Sequence, residues 1–209
     1  MKQGICHIVG AGENFGLNLS LSPADYLIAA DGGLRHMEAA NLSPHLIIGD
    51  FDSSSPPPNH PNVVTLQREK DETDLFAALQ AGIAQGYKRF HLHCATGGRI
   101  DHTMANLQLL TYLSRRGFSA HLLDQHSVIT AVTDGTYTFD AGHKGTLSVL
   151  AADNTVSGVS LFGLKYPLDC VTLTSDFPLG ISNEFLGVES CVAVEKGSLL
   201  LVYPRPNCQ

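Results

Sequence analysis

The sequence predicts an N-terminal doubly wound, mostly parallel α/β domain followed by a C-terminal β-sandwich. Two patterns lead to this fold class: apolar runs alternate with helical patterns in the first half, and strand-like runs alone fill the second half. The length of 209 residues fits one large domain or two small ones, since domains typically have about 100–200 residues. We expect the two domains to comprise residues 1–127 and 128–209.

The strands of the first domain are predicted from continuous apolar runs, as expected where both faces of a parallel sheet are covered. These runs are Ile5–Val9, Tyr26–Ala30, Leu46–Ile48, Val63–Leu66, Phe90–Cys94 and Ala120–Leu123. Helical patterns lie between them at Leu34–Asn41, Thr73–Gln85 and Thr103–Arg116. Gly86 and Gly117 are typical terminators of the last two helices. Strands that alternate with helices predict an open, doubly wound sheet.

The second domain contains only strand-like runs, which turn residues separate at a spacing of about 8–12 residues. The runs are Val128–Val132, Thr136–Phe139, Thr146–Leu150, Val156–Leu161, Val171–Thr174, Val188–Val194 and Ser198–Tyr203. Asp134-Gly135 and Lys196-Gly197 are typical of the turns between them. This pattern predicts an all-β sandwich.

Composition excludes several classes of protein. Apolar residues make up 44% and charged residues 16%, which excludes a disordered chain. The net charge of −7 argues against electrostatic binding to nucleic acid or to an anionic membrane. No apolar stretch approaches the roughly 20 residues of a membrane span, and no signal-peptide pattern is present. Five scattered cysteines without a C-x-x-C pair indicate reduced thiols, so we expect a cytoplasmic protein.

The strongest local signal for chemistry is the segment 49–53 (GDFDS), directly after the strand Leu46–Ile48. Asp50 and Asp52 are two positions apart, so an extended backbone would point both carboxylates the same way. They follow the carboxyl end of a parallel strand, where ligands bind in open α/β sheets. Neighbouring carboxylates repel unless a cation separates them, and Mg²⁺ suits such oxygen ligands. The alternative is an acidic turn that ends a strand.

A second acidic segment, 70–74 (KDETD), leads into the helix Thr73–Gln85. Taken alone, Asp71 and Asp74 are typical helix caps or first-turn residues. Because this segment also follows a strand, we expect it at the same edge of the sheet as Asp50 and Asp52. A further carboxylate at that edge favours the metal site.

The third segment is 94–102 (CATGGRIDH), between a strand and the helix Thr103–Arg116. Small residues before a helix N-terminus present free backbone N–H groups to an anion, and Arg99 adds a planar donor suited to phosphate. Asp101 and His102 could orient a hydroxyl or act as a base, or they could be ordinary first-turn residues. The P-loop pattern is absent, so any phosphate site is of another kind.

Two further patterns suggest weaker hypotheses. The glycines of residues 10–16, with Asp31 at the end of the next strand, favour an NAD-dependent oxidoreductase, but their spacing departs from G-x-G-x-x-G and a poor crossover helix follows. His91 and His93 could share one face of a strand, but no Cys or His partner stands at zinc-like spacing. We interpret both histidines as ordinary strand residues.

Together these motifs resemble the thiamine pyrophosphokinase family. The matching segments are 29–33 (AADGG), 46–53 (LIIGDFDS), 70–74 (KDETD) and 95–102 (ATGGRIDH), with Asn106 beyond the last. In the second half, 163–168 (GLKYPL) and 180–184 (GISNE) look like the bacterial members. The resemblance covers essentially the whole chain.

The resemblance implies a homodimer that binds ATP through the α/β domain and holds thiamine between subunits. The implied reaction moves the terminal diphosphate of ATP to the thiamine hydroxyl and yields thiamine diphosphate and AMP. The implied Mg²⁺ ligands are Asp50, Asp52 and Asp74, which with Arg99 and Asp101 form the implied catalytic set. The implied contacts with ATP are Asp31, Asp71, Thr96, Gly97, Gly98, Arg99, His102 and Asn106. The implied contacts with thiamine are Asp101, Tyr166, Ser182 and Asn183.

The chain departs from the family pattern at two points. Cys94 stands where many members have glycine, and the chain has no tryptophan to stack on thiamine. Tyr166 or Phe162 would have to take that role, unless they are core aromatics of the sandwich. A non-enzymatic sensor of nucleotide or thiamine is the remaining alternative, and the intact acidic and arginine residues argue against it.

Overall fold

The computed structural model describes residues 2–51, 60–67, 69 and 72–205. The chain divides into two compact units, residues 1–106 and 107–209, which we call the first and second units. This division rests on contacts within the chain and does not test the predicted boundary between the two functional domains at residues 127 and 128, which stays a prediction.

The described part of the first unit is a parallel sheet with helices on both of its faces. Its strands are β1 (Cys6–Val9), β2 (Tyr26–Ala30), β3 (Leu46–Gly49), β4 (Val63–Thr65) and β5 (Arg89–His93). They lie in the order β5-β1-β2-β3-β4, and every described pair is parallel. Its helices are α1 (Gly33–Ala39), α2 (Asp74–Ala84) and the first half of α3 (Ile100–Ser114). The predicted doubly wound α/β fold is confirmed.

Both faces of this sheet carry buried apolar side chains and are covered by helices. On one face, Met37 of α1 packs with Val9 and Leu27 in a buried cluster. On the other, α2 approaches so closely that a Cβ on Gly82 would lie 2.8 Å from the Cys6 Sγ and from the Phe90 ring. The absence of a side chain at Gly82 therefore lets α2 lie against the sheet.

The second unit is a sandwich of antiparallel strands. These are β6 (Ser119–Leu123), β7 (Ser127–Thr133), β8 (Thr136–Phe139), β9 (Thr146–Ala151), β10 (Thr155–Phe162), β11 (Leu168–Thr174), β12 (Asn183–Glu184), β13 (Ser190–Ala193) and β14 (Ser198–Pro204). One sheet has the order β12-β9-β14-β7-β6 and the other β11-β10-β13-β8. Leu147 and Leu201 from the first sheet share one buried core with Leu161 and Val192 from the second. The predicted β-sandwich is confirmed.

Three differences from the prediction affect the fold or the site. Strand β6, predicted as the last strand of the first domain, pairs antiparallel with β7 and belongs to the second unit. Strand β12 has two residues, too few for a periodic pattern. Helix α3 begins at Ile100 rather than Thr103, so Asp101 lies in its first turn. The glycines before α3 mark a loop but do not fix where it ends.

The described cysteines support the prediction of reduced thiols. Cys6, Cys94, Cys170 and Cys191 are all free. Burial raises the pKa of the Cys6 thiol to about 12 and that of Cys94 to about 11, so both thiols stay protonated and serve as small apolar side chains. None of the helices in the described ranges is long and apolar enough to cross a membrane.

We expect Leu79→Ala to lower the free energy of unfolding by about 2–5 kcal/mol, the cost of emptying a filled core site. Leu79 is fully buried on α2, the helix that carries an acidic residue of the site described below. Urea denaturation measures the change. The control Leu21→Ala removes a side chain that is 40% exposed and should cost less than about 0.5 kcal/mol; equal losses in both variants would contradict the described packing.

Candidate functional site

A cavity of about 920 Å³ lies at the carboxyl ends of the strands of the first unit. Its walls are the segments that follow β1, β2, β3 and β5, together with the first turns of α2 and α3. This is the edge at which open α/β sheets bind their ligands. All the residues that line it belong to the first unit.

Three carboxylates meet in this cavity. Asp31 follows β2, Asp50 follows β3 and Asp74 is the first residue of α2, and one carboxylate oxygen of each lies within 4.8 Å of the other two. Like charges this close repel unless a cation compensates them. Oxygen donors of this kind are the ligands that Mg²⁺ prefers, so the group fits a hard divalent cation.

Asp31 reaches the site because the backbone turns sharply at the end of β2. Its φ of 47° lies in the left-handed region, where Asp is better tolerated than most residues. The Asp31 N–H still donates to the carbonyl of Ile48 at 2.7 Å, which ties the turn to β3. The sequence predicted Asp31 as a nucleotide contact, whereas its carboxylate lies among the candidate metal ligands.

Asp74 is placed by an ordinary helix cap. Thr73 is the N-cap of α2, and its Oγ1 accepts a hydrogen bond from the Phe76 N–H at 3.2 Å. Asp74 then occupies the first helical position, where the helix dipole favours a negative charge. The interpretations of this segment as a helix cap and as part of a metal site are therefore compatible, because the cap at Thr73 places the Asp74 carboxylate in the cavity.

The backbone after Asp50 is not extended as predicted. Phe51 has a φ of 52° and its ring is buried beside Met37 and Ile47. The alternation argument that paired Asp50 with Asp52 is therefore wrong, because it requires extended backbone at Phe51. Asp52 and Asp71 themselves lie outside the described residues.

The loops after β1 and β5 are joined by backbone hydrogen bonds. The N–H groups of Gly12 and Glu13 donate to the carbonyls of Cys94 and Thr96 at 2.8 and 2.9 Å. A Cβ on Gly12 would lie 2.4 Å from the Thr96 oxygen, so this position requires glycine. These N–H groups are not available to a pyrophosphate, and residues 11–25, all of them described, contain no helix. Both observations count against the NAD hypothesis.

Ala95, Gly97, Gly98 and Arg99 of the predicted phosphate loop line the cavity together with His102 and Asn106, whereas the side chain of Thr96 does not. Gly97 and Gly98 have φ of 80° and 62°, a conformation that glycine adopts without strain. The buried amide of Asn106 donates to the Ala95 carbonyl at 2.7 Å and thereby fixes the loop to α3. Thr96 is also buried.

Sequence reasoning missed Glu13. Its Oε1 accepts a hydrogen bond from the Gly98 N–H at 3.2 Å, so a carboxylate occupies a backbone donor that the loop would offer to an anion. No motif marks Glu13, because the contact depends on the pairing of two loops that are far apart in sequence.

Arg99 and Asp101 hold each other at the rim. Their side chains form two hydrogen bonds, of 3.2 and 2.6 Å, and both are largely exposed. The hydrogen bond from Arg99 holds the pKa of Asp101 below its usual value. Arg99 lines the cavity, while Asp101 is not among the lining residues.

The predicted thiamine contacts lie in the second unit and differ in character. Asn183 is buried, its amide donates to the Tyr166 carbonyl at 2.7 Å and its Oδ1 accepts from the Tyr166 N–H at 2.9 Å. Its side chain is thus engaged with backbone. Tyr166 is 56% exposed, with the Lys165 Nζ 5.5 Å from its ring centre, and Ser182 is exposed. Exposed apolar side chains occur in the same part of the chain: Phe162, Phe177, Leu179, Ile181, Leu186 and Val188.

Comparisons with known proteins agree with one another. A family model described as thiamin pyrophosphokinase, catalytic domain, matches residues 17–122, and one described as thiamin pyrophosphokinase, vitamin B1 binding domain, matches residues 136–199. A curated thiamine pyrophosphokinase of Bacillus subtilis is 29% identical over 182 residues, which are 84% of this chain and 85% of that protein.

Solved structures of similar proteins share the fold along their whole length. The thiamin pyrophosphokinase of Geobacillus thermodenitrificans has a TM-score of 0.83 at 29% identity, covering 98% of this chain and 99% of that one. The thiamine pyrophosphokinase of Bacillus subtilis has a TM-score of 0.85 at 25% identity, covering 97% and 99%.

We expect Thr73→Ala to lower the free energy of unfolding by about 1 kcal/mol, because the α2 N-terminus loses its side-chain acceptor. Thr73→Ser keeps the hydroxyl and is the matched control, with stability close to that of the unmodified chain. Urea denaturation of both variants measures the difference. If alanine and serine behaved alike, the Thr73 hydroxyl would not be the cap that places Asp74.

Proposed function

The chain belongs to the thiamin pyrophosphokinase family, as its motifs predicted, and from this premise we propose that it transfers the terminal diphosphate of ATP to the hydroxyl group of thiamine in the acidic cavity of the first unit. The products are thiamine diphosphate and AMP. The observation that carries the assignment of the site is the meeting of Asp31, Asp50 and Asp74 beside the glycine loop.

The acidic group is the proposed holder of Mg²⁺. Asp50 and Asp74 were expected as ligands, and the geometry adds Asp31. Asp52, which the family resemblance also implies, lies outside the described residues. When bound, Mg²⁺ would neutralise charge on the polyphosphate. The three aspartates bind and orient it, so that ATP can approach a group of side chains that would otherwise repel it.

The glycine loop and Arg99 are the proposed phosphate holders. In the structure each of these donors already has a carboxylate partner: Gly98 has Glu13 and Arg99 has Asp101. A phosphate oxygen is a chemically equivalent acceptor, so binding of ATP would exchange both carboxylates for phosphate. This exchange would release Asp101 next to the reacting groups.

Asp101 is then proposed to orient the thiamine hydroxyl. An aspartate carboxylate is ionised at neutral pH and accepts a hydrogen bond, but it is a weak base. The hydroxyl oxygen attacks the β-phosphorus, the bond from that phosphorus to the oxygen it shares with the α-phosphorus breaks, AMP departs on that oxygen, and the hydroxyl proton is lost to solvent. Catalysis rests mainly on positioning and charge compensation.

Thiamine is proposed to bind the second unit at the exposed apolar side chains around Tyr166. The match of residues 136–199 to a vitamin B1 binding domain supports this position. Tyr166 offers an exposed ring on which a cationic aromatic ligand could stack, and Ser182 offers a hydroxyl. Asn183 acts as a positioning residue, because its amide holds the backbone of Tyr166.

Three further expectations remain proposals. We infer a homodimer, because the family resemblance places thiamine between subunits. We infer a cytoplasmic location, which the free thiols of the described cysteines support. The domain boundary between residues 127 and 128 is supported by the two family matches, which fall on either side of it.

We expect the purified chain, given ATP, Mg²⁺ and thiamine, to release AMP and thiamine diphosphate in equal amounts. Omission of thiamine should abolish AMP release. Chromatography of the nucleotides measures the products. ADP as the product would indicate an ordinary kinase, and binding of both ligands without any product would indicate a sensor.

The role of the acidic cavity is tested by Asp50→Asn. We expect this variant to lose at least about 100-fold in kcat, since one charged cation ligand is removed, while its far-ultraviolet circular dichroism is unchanged. Glu38→Gln removes an exposed carboxylate from α1 and is the charge-matched control, with normal activity. Normal activity of Asp50→Asn would show that the reaction does not depend on the Asp50 carboxylate of this cavity.

We expect Glu13→Gln to lower the KM for ATP by about two- to fivefold, because a negative charge that competes with phosphate is removed from an exposed site. The difference should shrink at high ionic strength, where exposed charges are screened. Initial rates over a range of ATP concentrations at saturating thiamine measure it, again with Glu38→Gln as control. A raised KM would show instead that Glu13 is needed to hold the loop.

A further inference from the structure

Three histidines converge on one face of the sheet of the first unit. His7 on β1 is paired in register with His91 on β5, and His93 lies two residues further on the same face of β5. One ring nitrogen from each lies within 4.8 Å of the other two. The sequence predicted His91 and His93 as ordinary strand residues because no partner stood nearby in the chain; the register of β1 against β5 supplies His7.

These rings are removed from solvent and close enough to share a ligand. His7 and His93 are 5% and 4% exposed, and the half-buried His91 leaves one side of the group open. His7 Nδ1 and His93 Nε2 are 3.1 Å apart and share a hydrogen bond, whose place a metal ion would take. Imidazole nitrogens are the commonest metal ligands in proteins.

The other nitrogen of His7 faces a fixed carboxylate. His7 Nε2 is buried and has no hydrogen-bond partner within the described part of the chain, but it lies 3.7 Å from Asp25 Oδ2. Asp25 is held by the Ile5 N–H on one oxygen and the Ser22 N–H on the other, at 2.7 and 2.8 Å. A buried polar atom left without a partner is costly, so this arrangement calls for an explanation.

We propose that His7, His91 and His93 form a binding site for a divalent transition metal of the zinc class, distinct from the acidic cavity and with Asp25 as its supporting carboxylate. Nothing in the proposed diphosphate transfer uses these residues. Three imidazoles suit Zn²⁺ and its neighbours rather than Mg²⁺, which prefers oxygen.

The distances agree with this ligand set. Zn–N bonds of about 2.0–2.1 Å in a tetrahedron place two ligand nitrogens about 3.3 Å apart, close to the 3.1 Å between His7 and His93. His91 offers a ring nitrogen within 4.8 Å of those of His7 and His93. His7 would bind through Nδ1 and carry its proton on Nε2, which faces Asp25 Oδ2 at 3.7 Å. A closer approach of these two groups would complete the carboxylate–histidine–metal arrangement found in zinc proteins. Water would fill the fourth position.

The site would act on the cavity through the strands. It connects β1 to β5, and the loops that follow these two strands pair with each other and line the cavity. A metal that binds only the folded state stabilises it by mass action, so occupancy should raise the thermal stability of the first unit.

The test uses the full-length protein dialysed against zinc in the presence of excess Mg²⁺, which keeps zinc from the oxygen ligands of the cavity. We expect one equivalent of zinc per chain by elemental analysis, a raised melting temperature, and the intense visible absorption of tetrahedral Co²⁺ when cobalt replaces zinc. His126→Gln, which changes an exposed histidine, should behave like the unmodified chain.

Variants of the site separate metal binding from simple packing of the rings. His7→Gln and His91→Gln should lose the Co²⁺ spectrum and the zinc-dependent rise in melting temperature, and Asp25→Asn should weaken zinc binding by about 10–100-fold. If one of these variants does not fold, the cobalt spectra of the unmodified chain and of the remaining variants still show whether the histidines bind the metal. No bound zinc, zinc that Mg²⁺ displaces, or zinc retained equally by the histidine variants would each overturn the proposal.

Discussion

The repulsion among three carboxylates is the constraint on which the site depends. Asp31, Asp50 and Asp74 bring one oxygen each within 4.8 Å of the others. Asp31 and Asp50 follow two neighbouring strands of the parallel sheet, and Asp74 is the first residue of α2. The ends of neighbouring strands lie side by side, which brings the carboxylates together. Their mutual repulsion is unfavourable unless a cation compensates it. The fold therefore builds a place that suits a divalent cation, which is where we propose that the polyphosphate of ATP binds.

Backbone hydrogen bonds and one buried side-chain amide keep the shape of the cavity. The loops after β1 and β5 exchange hydrogen bonds from Gly12 and Glu13 to Cys94 and Thr96, and the close approach at Gly12 leaves no room for a Cβ. Asn106 then ties the second loop to α3. Because a loop fixed in this way loses little freedom when it binds phosphate, its donors are preorganised for the charge that they meet.

How much the sequence could predict depends on the range of the interactions. Buried strands and capped helices are local patterns in the sequence. They therefore predicted the fold class directly, and they placed Asp50 at a strand end and Asp74 at a helix end. The turn at Asp31, the contact of Glu13 with Gly98 and the convergence of His7 with the β5 histidines depend on register and loop pairing, which no single segment carries. Asn183 was assigned to thiamine by resemblance, whereas its buried amide holds the backbone of Tyr166.

The charge balance of the chain now has a local explanation. A protein with a net charge of −7 cannot attract ATP by its overall field, so it must bind the nucleotide through a few directed contacts and a cation. The structure shows the donors for those contacts held by Glu13 and Asp101. Carboxylates that occupy phosphate positions keep exposed donors such as Arg99 satisfied before the nucleotide arrives. In the proposed reaction, ATP binding would exchange one anion for another at these donors, and the exchange would leave Asp101 available to the second substrate.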